Sequence, residues 1–174
     1  MKKIVLLYWG TGGNVDRTAH MVYNMFNPET IDIFDVVSFD HNTLENYELM
    51  ILGHSTIGAE AWQDAKADNE WNRFFRNIES HDSCTIVAAS FGLGDKMLYP
   101  DHFVDGLGIY KAEMDKLNIR TIGSWPSDDY KFTDSAGEKD GFFFGLALDV
   151  DNEPKLSEER IRLWPDEIKK EMGY

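Results

Sequence analysis

The chain has 174 residues, 43% hydrophobic and 13% aromatic, which suits one folded domain with a sizeable core and excludes general disorder. Its 31 acidic against 17 basic residues leave a net charge of −14, which argues against nucleic acids and anionic membrane surfaces as partners and favours basic ones. No apolar stretch approaches the ~20 residues of a membrane span, no signal peptide is visible, and the single Cys84 allows no internal disulfide, so a cytoplasmic protein is expected.

The first apolar run, Ile4 to Tyr8, reads as a central parallel strand buried on both faces. Trp9-Gly10-Thr11-Gly12-Gly13-Asn14 follows at once, then a helical pattern over 15–26. Strand, glycine loop and helix N-terminus together form an anion site, because backbone N–H groups can approach an anion closely and the helix dipole favours negative charge. The expected guest is a phosphate monoester. The loop itself has no lysine of a G-x-x-x-x-G-K-[ST] type and no G-x-G-x-x-G spacing, so the two best-known nucleotide loops are excluded.

Further strands are expected at 31–37 (an edge or near-edge strand, from its partial alternation), at 48–53, at 85–91 and at 118–123. Helical patterns fall near 42–46, at 69–79, at 101–117 and at 157–172, the last with Ser157 as its N-cap. Cys84, at the start of the fourth strand, reads as a buried and inert thiol. The polar stretch 124–142 interrupts the fifth strand, and an apolar run resumes at Phe142 to Leu148. Strands alternating with helices predict an α/β, flavodoxin-like doubly wound five-stranded parallel sheet of order 2-1-3-4-5, in a single domain over 1–174. Strand five is split by an insertion of about twenty residues, long enough to be functional or partly structured. Ligands of such sheets bind at the carboxyl ends of the strands near the switch point, so Tyr8, Gly53 and Phe91 mark where the site should lie.

After Gly53 the chain reads His54-Ser55-Thr56-Ile57-Gly58, and after Phe91 it reads Gly92-Leu93-Gly94-Asp95-Lys96-Met97-Leu98-Tyr99. Two such loops beside a phosphate site can sandwich a flat heteroaromatic ring, which together describe FMN. On the blocks Phe91-Gly92-Leu93-Gly94-Asp95 with Tyr99, Gly123-Ser124-Trp125-Pro126 and Gly145 to Asp151, the chain resembles the long-chain flavodoxins almost end to end.

That resemblance implies non-covalent FMN, with Gly10, Thr11, Gly12, Gly13, Asn14 and Val15 around its phosphate. It implies Tyr99 stacked on the outer face of the isoalloxazine, and Leu93, Gly94 and Asp95 at the pyrimidine edge. Thr56, Ile57 and Gly58 would lie on the inner face near flavin N5, with Ile57 favoured over Trp62 as the covering side chain. Where family loops carry three hydroxyls this chain has Gly10, Gly12 and Val15, each lost hydroxyl–phosphate bond costing ~1.5–3 kcal/mol unless replaced. His54 and Ser55 read as loop-shaping residues, and Asp149 and Asp151 as either a negative rim or ordinary solvated acids.

The function implied is one-electron transfer at low potential, cycling between semiquinone and hydroquinone, by a monomer that turns over no substrate of its own. With Lys96 the one cation counted in the ring-facing loops, a carboxylate ~8 Å from an anionic flavin costs roughly 2 kcal/mol at an effective dielectric of ~20. For a one-electron couple that is about 90 mV towards lower potential. Expected partners are basic redox proteins: a flavoprotein reductase or ferredoxin-type donor, and a low-potential acceptor enzyme. The rival reading is an FMN-dependent NAD(P)H:quinone-type reductase. A phosphoacceptor signalling module would need paired acids after strand one, where Tyr8-Trp9-Gly10 stands.

Overall fold

A computed structural model describes residues 3–55, 69–79 and 85–173. Five parallel strands form the predicted order: β1 (Ile4–Tyr8), β2 (Ile31–Asp35), β3 (Leu49–Ser55), β4 (Val87–Leu93) and β5 (Arg120–Ile122), arranged β2-β1-β3-β4-β5. The continuous apolar run of β1 has its reason in the two-sided core. Val5 and Leu7 face a cluster with Met50, Leu52, Trp71, Phe74 and Tyr110. Leu6 and Tyr8 face the other cluster, with Ala19, Val22, Ile51, Trp164 and Ile168.

Four helices supply those layers: α1 (Asn14–Tyr23), α2 (Glu70–Glu79), α3 (Gly106–Lys116) and α4 (Pro154–Met172). The expected helix at 42–46 is a 3-10 segment, His41–Asn46. Two helix starts differ from the sequence reading. The run from 101 is turn until Gly106, because Val104 takes a left-handed φ of 50°, which no helix continues. The last helix begins at Pro154, whose fixed φ and missing N–H suit a first helical position, and Ser157 lies buried inside the first turns instead of capping.

The split of the fifth strand is real, with a different re-entry point. β5 pairs with the lower half of β4, and β9 (Leu146–Leu148) pairs in parallel with its upper half, Phe91 to Leu93. Between them, β6 (Trp125–Pro126), β7 (Glu138–Lys139) and β8 (Phe142–Phe143) form a small antiparallel sheet of order β6-β8-β7. Phe142 and Phe143 therefore belong to the insertion, and the main sheet resumes only at Leu146. Phe143 packs with Phe103, Val104, Leu107, Tyr130 and Ala147 in a third core cluster, so the insertion is folded and docked on the segment before α3.

Candidate functional site

The carboxyl ends of β1, β3, β4 and β9 open into one cavity of about 390 Å³ at the switch point. Trp9, Gly10, Thr11, Gly13, Asn14 and Val15 line it from the β1–α1 loop, Ser55 from the end of β3, Leu93, Gly94, Asp95 and Tyr99 from beyond β4, and Val150 and Asp151 from beyond β9. Nine of the thirteen site residues expected from sequence thus meet in one place, and Gly12 sits in the same loop. Thr56, Ile57, Gly58, the rival Trp62, and Cys84 lie outside the described residues.

The loop geometry follows from its glycines. Gly10 and Gly12 take φ of 96° and 82°, a region that L side chains rarely adopt, and a Cβ at either would meet nothing within 4 Å. The space above the loop is open. Its donors hold anionic oxygens already: Gly10 N–H donates to the Asp35 carboxylate at 3.2 Å and Gly12 N–H to Asp16 at 2.6 Å. That bond from Gly12, with lesser help from Tyr8 and His20, holds the Asp16 carboxyl below its usual range against the opposing effect of burial. At Gly13, the residue before α1, no side chain caps the helix, leaving first-turn N–H groups for a guest.

Asn14 joins distant parts of the chain. Its Nδ2 donates to both oxygens of Asp151, at 3.1 and 3.2 Å, while its Oδ1 accepts from Arg17. Arg17 Nη1 lies 3.5 Å from the Gly12 carbonyl oxygen. The loop itself carries no cation, but Arg17, on the first turn of α1, curls back over it. The available signal was spacing, since a side chain on the first helical turn can reach the loop that precedes it.

Beyond β4, the N–H groups of Met97 and Leu98 donate to Asp95 at 2.9 Å each. Leu98 N–H is the chief cause of the lowered Asp95 carboxyl pKa, ahead of opposing burial and of assistance from Asn152 and Met97. This turn leaves Met97, Leu98 and Tyr99 exposed by 70%, 72% and 59%.

Three other expectations change. Lys96 does not face the cavity: its ammonium pairs with Glu153, which also binds Arg160 at 3.3 Å, and Arg160 lies 3.8 Å over the Tyr130 ring. Burial pushes the Glu153 carboxyl up, and the two cations outweigh it, for a net lowering. Asp149 is neither rim nor solvated: fully buried, it accepts from Lys96 N–H at 3.2 Å and Asn152 N–H at 3.0 Å. His54 belongs to β3 and not to a loop, buried and stacked 4.1 Å from Tyr110, and burial drives its pKa down to about 3, so it stays neutral.

Among the described residues, no helix is long and apolar enough to cross a membrane, and no group of three or more His, Cys, Asp or Glu could hold a metal ion. The family model for flavodoxin matches residues 6–164. A flavodoxin of Picosynechococcus sp. is 31% identical over 174 residues, covering 99% of each chain. One from Synechocystis sp. is 34% identical over 170 residues, covering 97% of each. The crystal structure of Fusobacterium nucleatum flavodoxin bound to flavin mononucleotide superposes with a TM-score of 0.82 at 26% identity, covering 98% of this chain and 99% of that one.

Proposed function

Because the chain belongs to the flavodoxin family, we propose that it carries FMN non-covalently and passes single electrons at low potential between partner proteins, without turning over a substrate of its own. The observation that carries this reading is the cavity at the strand ends, where an uncapped helix N-terminus and the left-handed Gly10 share one space with Asp95 and Tyr99. The site fits the group: first-turn N–H groups of α1 that no side chain caps, open space above the loop, and a phenol ring on the solvent side. The bound flavin supplies the one-electron chemistry, and the protein holds and tunes it.

Each residue then has a task. The loop from Gly10 to Val15 cradles the phosphate. Leu93, Gly94 and Asp95 meet the pyrimidine edge, and Tyr99 covers the outer face. Thr56, Ile57 and Gly58 complete the inner face, Ile57 excluding water from the ring.

Tuning comes from charge. Asp95 and Asp151 line the cavity and Lys96 is spent on Glu153, so the cavity is left acidic and an anionic ring is disfavoured. A carboxylate ~8 Å from the ring lowers the second one-electron potential by roughly 90 mV. Exposed Met97 and Leu98 beside the cavity, on a chain of net charge −14, suit a basic redox protein with an apolar centre to its docking face. We place the protein in the cytoplasm as a monomer.

Titration of the apoprotein with FMN tests this reading. The expected outcome is stoichiometric binding with quenched flavin fluorescence, a second one-electron potential more negative than that of free FMN, and no NAD(P)H consumption by the protein alone. Absence of FMN binding overturns it, and steady NAD(P)H consumption with a quinone favours the reductase.

A further inference from the structure

We propose that Arg17 is the charged contact of the FMN phosphate in this chain, doing the work that hydroxyl side chains do in the loops it resembles. The inference rests on the FMN-binding reading above and goes beyond it by assigning the phosphate's counter-charge to a helix residue.

The loop has two problems as an anion site. It carries no hydroxyl at Gly10, Gly12 or Val15. It is also ringed by carboxylates: Asp35 on Gly10 N–H, Asp16 on Gly12 N–H, and Asp151 on the Asn14 amide. A phosphate monoester, near −2 at neutral pH, is repelled by each of them. Backbone dipoles alone face three negative groups.

Arg17 answers both problems. Its guanidinium reaches back across the loop, hydrogen-bonding to Asn14 Oδ1 and lying 3.5 Å from the Gly12 carbonyl oxygen. Asn14 acts as the spacer: one end of its amide holds Arg17 and the other holds Asp151, so the cation is fixed on the loop and the nearest rim carboxylate is tied down. A guanidinium has five donors, and these two contacts leave others free for phosphate oxygens in the fork geometry that suits them. The side chain is exposed, so its charge is available to an anion above the loop.

The test compares FMN with riboflavin, which lacks the phosphate, on apoprotein of wild type, Arg17→Ala and Arg17→Lys. Flavin fluorescence quenching at low and high salt gives the dissociation constants. Arg17→Ala is expected to weaken FMN binding about tenfold to a hundredfold, the range of one charge-assisted hydrogen bond, and to leave riboflavin within about twofold. Arg17→Lys should recover part of the loss. FMN affinity should fall with salt more steeply in wild type than in Arg17→Ala. Unchanged FMN affinity in Arg17→Ala overturns the proposal, as does equal weakening of FMN and riboflavin, which would mark Arg17 as a structural prop. A wild-type protein that binds neither flavin fails at the earlier step and overturns the FMN reading itself.

Discussion

Asp149 lies at the seam between the segment after β4 and the one after β9, with no exposed surface. Its carboxylate takes N–H groups from Lys96 and Asn152, and the Asn152 side-chain amide bonds both Asp149 and Asp95, at 2.9 Å each. One buried acid thereby aligns the two segments that line the cavity beyond β4 and β9. Replacing it with alanine leaves backbone donors unpaired, at about 1–3 kcal/mol for each, so Asp149→Ala should cost about 2–4 kcal/mol of stability, read as a lowered urea midpoint, and loosen flavin as well. Sequence alone could not separate this acid from Asp151, two residues on. Both follow the same strand, and only the third dimension shows that one turns inward to backbone donors while the other reaches Asn14. Arg17 was hidden for a similar reason, since a charged residue on an exposed helical turn reads as a solvated face until its direction is known.

Strands were the most legible elements. A parallel strand buried on both faces favours a continuous apolar run; β1 is one throughout, β3 opens on Leu49 to Leu52, and β4 is interrupted only by the buried Ser90 and by Gly92. The start of α3 was not legible, because Phe103, Val104 and Leu107 continue a helical pattern for a different reason: they form the seat of the insertion. Phe142 to Leu148 was likewise read as one strand, although the break comes at Gly145. There the backbone passes so close to Ser90 that a Cβ would stand 2.7 Å from Ser90 Oγ and 2.9 Å from its carbonyl carbon. Gly145→Ala should push β9 away from β4 and cost about 1–3 kcal/mol, read as a lowered melting temperature with weakened FMN binding, since Leu148 and Asp149 lead directly into the site.

At the scale of the whole molecule, the net charge of −14 sets how partners arrive. Long-range attraction of basic proteins raises encounter rates and is screened over about 10 Å at 0.1 M salt. Electron transfer to a basic partner, measured by stopped flow, should therefore slow several-fold between 10 and 200 mM salt by this screening, while transfer to an acidic partner should speed up. The chain's length and charge made that legible from composition alone; which face presents Met97 and Leu98 was not, because it depends on the Asp95 turn.

The register of β4 carries one more consequence. β5 ends opposite Ala89 and β9 begins opposite Phe91, so the main sheet lacks only the single position facing Ser90. The whole excursion between Ile122 and Leu146 is spliced into a one-residue gap. A shortened chain rejoined there through one amino acid would keep every rung along β4 and forfeit instead the roof over Phe103 and Leu107, which makes the excursion a cover laid on a finished frame and not a beam within it.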